Sequence, residues 1–502
     1  MLKTIRRTLA VLFFVGTTLL FLDFTGTASR WMGWMAKVQF LPALLAANFL
    51  VVAALVVLTL VLGRIYCSVV CPLGVMQDLI AWVGRRGKRK PYSYSKGLHW
   101  LRQLVLAVFV VAMVAGVGSL VALLAPYSSY GRIAQNLLQP VWLAVNNLLA
   151  WAAEAAGSVA FYSVDVWLRS WPTFVVAALT LLLLGVLAWR NGRTYCNTVC
   201  PVGTVLGALS KFSLFRIIFD KEKCRKCGKC SSHCKAACID FKTMTVDNTR
   251  CVVCGDCLEQ CAFGALSYGL ALRKGNSAKG ENASKATDSP SDTPSAERRA
   301  FLVGAASAVA ASALAQANKK VDGGLAVIED KVVPERRVPV VPPGALSVSH
   351  FAHHCTACQL CVAECPNGVL RPSADLLRLM QPEMSFERGH CRPECSRCSQ
   401  VCPTGAILPI SPEEKSSISV GHAVWVKENC LPAKGEASCG NCARHCPTGA
   451  IMMTKTTVNG KEAEVPAIDA ERCIGCGACE ELCPARPLTA IYVEGNEQHR
   501  VV

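Results

Sequence analysis

CRKCGKCSSHC at residues 224–234 and CVVCGDCLEQC at residues 251–261 decide the fold. Each is a C-x2-C-x2-C-x3-C run, and the second begins 27 residues after the first. In the two-cluster bacterial ferredoxin pattern the first three Cys of a run bind one cubane and the fourth reaches across to the other. The spacing therefore predicts one [4Fe-4S] site from Cys224, Cys227, Cys230 and Cys261. A second is predicted from Cys251, Cys254, Cys257 and Cys234. Lys235 and Ala262 stand where Pro usually follows the fourth Cys, and Cys238 is an additional thiol that competes with Cys234 as ligand. A zinc ribbon needs two pairs of ligands instead of runs of four, so it does not fit.

Four more groups follow in residues 321–502. Cys355, Cys358, Cys361 and Cys365 keep the standard spacing, as do Cys473, Cys476, Cys479 and Cys483. Cys391, Cys395, Cys398 and Cys402 open with x3, and Cys430, Cys439, Cys442 and Cys446 open with x8. Six [4Fe-4S] clusters are the expected load. In the last four groups nested pairing, first with fourth and second with third, is preferred because the middle two share their irregular spacing.

The chain has 502 residues, 29 Cys, 52% hydrophobic and 17% charged residues, and a net charge of +17. So low a charged fraction, together with long apolar runs, excludes a purely soluble protein. Grouped Cys argue for metal ligation over a disulfide scaffold. Lys and Arg flank apolar segments without interleaved aromatics, which argues against nucleic acid. Six clusters at about −2 each would also bring the charge to roughly +5.

Apolar runs at residues 41–63, 104–125 and 173–189 read as transmembrane helices. Residues 9–22 read as a signal peptide or an uncleaved first helix. Residues 133–161 are apolar but broken by Gln135, Asn136, Gln139 and Pro140, which suits helices at the outer surface or re-entering the membrane; a fifth span is the alternative. Basic residues between the second and third helices place that loop and both ends of the bundle in the cytoplasm. GRIYCSVVCPLG at 63–74 and GRTYCNTVCPVG at 192–203 match at eight of twelve positions, so the bundle reads as two copies of a helix pair. Cys67 and Cys71, like Cys196 and Cys200, would share a helical face. These four are candidate catalytic redox thiols; a metal held between the halves and plain apolar packing are the alternatives.

The expected fold is thus an α-helical membrane bundle of about four helices with an internal two-fold repeat, followed by α+β ferredoxin-like domains. The domain reading is residues 1–215 for the bundle, 216–271 for a two-cluster ferredoxin, 272–297 for a disordered linker, and 321–502 for a four-cluster ferredoxin. Residues 298–320, with Arg298 and Arg299 before an Ala-rich stretch, read as a twin-arginine export signal or a connecting helix. Cleavage near residues 315–317 is open. No C-x-x-C-H and no His in a span argue against haem, and no nucleotide fingerprint is present.

Residues 1–261 resemble the NapH and MauN type of membrane ferredoxin protein, and residues 296–502 resemble the NapG and MauM type. The chain looks like these two partners fused. The resemblance implies quinol oxidation, with menaquinol or ubiquinol as donor, and delivery of electrons to a periplasmic reductase or cytochrome. As an enzyme the chain would be a quinol dehydrogenase subunit. It also implies a multi-pass protein of the bacterial inner membrane, in contact with lipid, with residues 216–271 cytoplasmic and 321–502 periplasmic. Glu154 and Asp165 are candidate proton acceptors. The alternative is an electron donor or maturation factor for another metalloenzyme, working through the C-x3-C-P thiols without quinol. On this topology the two ferredoxin modules lie on opposite sides with no identified carrier between them.

Overall fold

The computed structural model describes residues 2–85, 91–158, 160–270, 330–458 and 461–502. The expected linker and the twin-arginine-like segment fall outside these residues. Residues 1–272 and 332–502 pack as one compact unit.

The first part is helical because its sequence is apolar in long uninterrupted runs. Its elements are α1 (Leu2–Leu22), α2 (Phe49–Leu62), α3 (Tyr66–Val69), α4 (Pro72–Arg85), α5 (His99–Val114), α6 (Pro126–Ile133), α7 (Gln139–Ala155), α8 (Trp171–Asn191), α9 (Thr194–Thr198) and α10 (Pro201–Ser210). Two helices, Lys3–Leu22 within α1 and Trp171–Asn191, are long and apolar enough to cross a membrane; α2 and α5 are apolar but shorter. The expected span at 41–63 is not one helix. It breaks after Leu45, where Ala47 takes φ +52° and the Asn48 side chain caps α2 through the Val51 N–H. The span at 104–125 breaks likewise at Gly116, φ +72°. Outward-facing apolar side chains line the helices, among them Leu12, Val15, Val57, Val111, Leu179 and Leu182.

Residues 133–161 begin with the last turn of α6, pass through one π-helical turn at Ala134–Leu138 and continue as α7. The polar residues that interrupt the apolar pattern there point inward. Gln135, Asn136 and Gln139 are buried, and Asn136 donates to Gln359 at 2.8 Å.

In the first ferredoxin, β1 (Phe215–Phe219) pairs antiparallel with β4 (Leu266–Leu270), and the short β2 (Ile239–Asp240) with β3 (Thr245–Val246). The C-terminal module pairs β5 (Leu370–Pro372) with β6 (Pro382–Met384), and β7 (Ile418–Trp425) with β10 (Ile491–Val501); β8 (Ile451–Val458) and β9 (Lys461–Ile468) form a long hairpin.

Four helices meet one ferredoxin at each end. At the start of α1, Lys3 pairs with Asp256 and Glu259; just beyond its end, Gly26 lies against Arg397. Gly63 at the end of α2 faces Val253, and Ala46 before its start faces Gly405. Arg102 near the start of α5 donates to Thr249, and Gly116 beyond its end lies against the His353 ring. Ahead of α8, Trp167 stacks under Arg371 at 4.7 Å; after it, Gly192 packs on the Lys235 carbonyl. At 1.5 Å per residue the 21 residues of α8 separate those contacts by about 30 Å.

Candidate functional site

The Cys groups converge as cavities. Cys224, Cys227, Cys230 and Cys261 line one of them, the four thiols that the spacing groups together. Cys257 lies within electrostatic reach of Cys254, Cys251 and Cys234, as expected for the second set. Cys238 is buried with its Sγ 3.5 Å from that of Cys234, and its hydrogen bond holds the Cys234 thiol below its ordinary range. Both thiols are therefore in position at that corner.

The C-terminal pairing is sequential, which corrects the nested expectation. Cys365 lines a pocket with Cys391, Cys395 and Cys398. Cys402 stands within electrostatic reach of Cys355, Cys358 and Cys361. Cys483 lines a pocket with Cys430, Cys439 and Cys442. Cys446 neighbours Cys473 and Cys476. Each group's fourth Cys, at or just past the end of a short helix, points into the group beside it in sequence. Shared spacing carried no information on partnership.

Among the described residues no three His, Cys, Asp or Glu side chains close on a single-ion site. Four thiols gathered around one pocket instead suit a body with one iron at each thiolate, as in a cubane. The residues fit the group.

The C-x3-C-P thiols form a separate cluster inside the helical part. Cys67, Cys71, Cys196 and Cys200 are each 4% exposed, and Cys200 is within electrostatic reach of the other three. The expectation of a shared helical face fails. Cys67 lies on α3, but the helix stops at Val69, and Cys71 precedes a new helix whose first residue is Pro72. Pro is tolerated at the first helical position because its missing N–H has no partner there anyway. Cys200 likewise caps α10, its Sγ accepting from the Gly203 N–H at 3.3 Å.

The repeat's other matches have structural reasons. Gly63 and Gly192 take φ +77° and +70°. A Cβ on Gly74 would lie 2.2 Å from the Cys67 carbonyl, and one on Gly203 2.3 Å from the Cys196 carbonyl. Arg64 and Arg193 are fully buried and each donates to a Cys carbonyl of the other copy. Tyr66 donates to Gln39, and Tyr195 to the Leu124 carbonyl.

Three family models match the chain. One described as a 4Fe-4S binding domain covers residues 44–91 and 170–221; two described as 4Fe-4S dicluster domains cover 247–369 and 437–486. The methylamine utilization ferredoxin-type protein MauM of Methylobacillus flagellatus is 34% identical over 32% of this chain and 70% of its own length. The chain belongs to the MauM family of ferredoxin-type proteins. MauN of the same organism is 30% identical over 42% of this chain and 64% of its own length. The ferredoxin-type protein NapF of Escherichia coli K12 is 30% identical over 31% of the chain and 86% of its own length. No solved structure matches.

Within this ferredoxin-type protein, Lys235 occupies the position of the usual Pro. Its Nζ pairs with Asp78 at 2.9 Å and Asp256 at 3.3 Å, while Asp78 also takes Arg193 at 2.7 Å. The Lys235–Asp78 pair fastens the first ferredoxin to α4, and Lys3–Asp256 fastens it to α1. Sequence reasoning flagged the missing Pro but not its consequence, and Asp78 carried no signal. Glu154 and Asp165 are both exposed, as solvated carboxylates would be.

Proposed function

We propose that this ferredoxin-type protein is a multi-pass protein of the bacterial inner membrane that accepts electrons from menaquinol or ubiquinol and passes them through six [4Fe-4S] clusters to a periplasmic reductase or cytochrome. The observation that carries the reading is the set of four helices, apolar on their outward faces, held at opposite ends by two ferredoxin modules. Outward Leu and Val have no favourable partner in water but a suitable one in lipid. Bound cubanes supply one-electron transfer, so the two electrons of a quinol leave one at a time while its two protons go to water.

The ligands are the Cys groups as the cavities bring them together, with the corner at Cys234 and Cys238 shared between two thiols. The first module is assigned to the cytoplasm and the C-terminal one to the periplasm. The alternative role as a maturation factor requires the C-x3-C-P thiols to act on a partner, and 4% exposure closes them off from one.

The test is reduction of anaerobically purified holoprotein by menaquinol and ubiquinol analogues, followed by EPR. Reduced cluster signals are expected. Their absence with intact clusters would overturn the quinol reading. Protease access to residues 332–502 from one side of sealed vesicles only, opposite to residues 216–270, tests the topology.

A further inference from the structure

We propose that Cys67, Cys71, Cys196 and Cys200 together hold one further iron–sulfur cubane inside the helical bundle, placing a carrier between the two ferredoxin modules. The site itself does not depend on quinol chemistry; only its role as a link rests on the electron-transfer reading above.

Three observations converge. The first is ligand number. The two segments matched as 4Fe-4S binding domain contain two Cys each, and a cubane takes four thiolates. Neither segment suffices alone, whereas the fold brings both pairs to one buried place without a disulfide.

The second is charge. Arg64 is fully buried, and its partners are the Asn197 side chain, the Thr249 and Cys196 carbonyls and the Cys67 sulfur, at 3.0, 2.9, 3.2 and 3.8 Å. Among the described residues no carboxylate is among them, and its Nε has no partner. A buried, uncompensated guanidinium is strongly unfavourable unless an anion lies beside it. Four thiolates around a cubane core carry about −2, which is the missing counter-charge. The Gly203 N–H, in the first turn of α10, is directed at the Cys200 sulfur at 3.3 Å.

The third is placement. Arg64 lies within electrostatic reach of Cys251 in the first ferredoxin and contacts Cys67. On the other side Tyr195 neighbours Cys196, Cys200 and Arg132, and Arg132 neighbours Cys358. Gly131 approaches the C-terminal module so closely that a Cβ would lie 2.2 Å from the Cys358 carbonyl. Arg132 is itself fully buried, donating to the Ala122 carbonyl and Ser129, and among the described residues no carboxylate pairs with it. For each electron taken up from the Cys251 side, one is released toward Cys358, with no net oxidation and no proton.

The experiment is iron and acid-labile sulfide analysis of the full chain, purified anaerobically, beside the C67S/C196S variant. Wild type should hold about 28 iron atoms and the variant about 24, with the ferredoxin EPR signals retained. Equal iron in both, or a Cys67–Cys196 disulfide found by mass spectrometry, would overturn the proposal. If the variant does not fold, wild type decides alone: about 24 iron atoms overturns the bundle site and leaves the six ferredoxin clusters standing. A count of about 28 with no response to quinol would leave the site standing and sink the quinol reading instead.

Discussion

Arg64 and Arg193 are exchanged between the two copies of the repeat: Arg64 Nη2 donates to the Cys196 carbonyl at 3.2 Å, and Arg193 donates to the Cys67 carbonyl. The two are not equivalent, because Arg193 also pairs with Asp78 at 2.7 Å while among the described residues no carboxylate pairs with Arg64. R64M should therefore leave a folded chain that loses about four iron atoms, since the cation that balances the thiolates is gone. R193M should lower stability as well, by about 2 kcal/mol or more, because a mostly buried carboxylate loses a partner. Iron analysis beside thermal melting separates the two outcomes.

Gly203 tests how tightly the copies close. A methyl group there would sit 2.3 Å from the Cys196 carbonyl and 2.9 Å from Arg64. Since the first obstacle is backbone, G203A should cost about 3 kcal/mol or more, whereas G185A, with open space around it, should be close to neutral. Melting temperatures in detergent provide the comparison.

The sequential pairing makes C365S and C483S informative. C365S should perturb only the site of Cys391, Cys395 and Cys398, and C483S only that of Cys430, Cys439 and Cys442. Nested pairing would instead make C365S disturb the Cys473 group. EPR of each variant, with one set of signals altered at a time, distinguishes them.

Lys235 fastens the first ferredoxin to α4 through Asp78. K235A should cost about 3 kcal/mol and expose the junction between residues 216–270 and the helices to limited proteolysis. Cleavage at the wild-type rate would argue that this ion pair does not hold the module in place.

His499 gives a pH dependence. Burial holds its pKa down at about 4, from 6.5, and among the described residues neither ring nitrogen has a hydrogen-bond partner. The unfolded chain binds a proton before the folded one does. Stability from this residue is therefore complete above about pH 6.5, falls as the pH drops toward 4, and changes by about 3 kcal/mol over that window. H499F should flatten this component of the melting curve between pH 7 and 4.5 relative to wild type.

The C-x2-C-x2-C-x3-C runs made the ferredoxins legible, because cubane ligation imposes short, regular spacing. The crossing of Cys261 and Cys234 is a proposal from the spacing that the placement of these thiols supports, whereas the partners of Cys365 and Cys483 depended on which groups the chain folds together. The repeat at 63–74 and 192–203 was visible as a pattern, yet its meaning was not. Only the structure shows that Arg64 serves the other copy's Cys196, or that Cys67 and Cys71 flank a helix break. Gln135 and Asn136 read as interruptions to an apolar run because a sequence does not reveal that a distant segment, here Gln359, will cover them.

Because the ferredoxins grip opposite ends of α8, about 30 Å apart, an electron travelling from one to the other in the proposed setting would traverse most of the low-dielectric layer. Such a journey is electrogenic. Each charge feels about 2.3 kcal/mol per 100 mV, so a cell interior held negative would push electrons outward, and the resting voltage would bias the flow as firmly as any difference in redox potential.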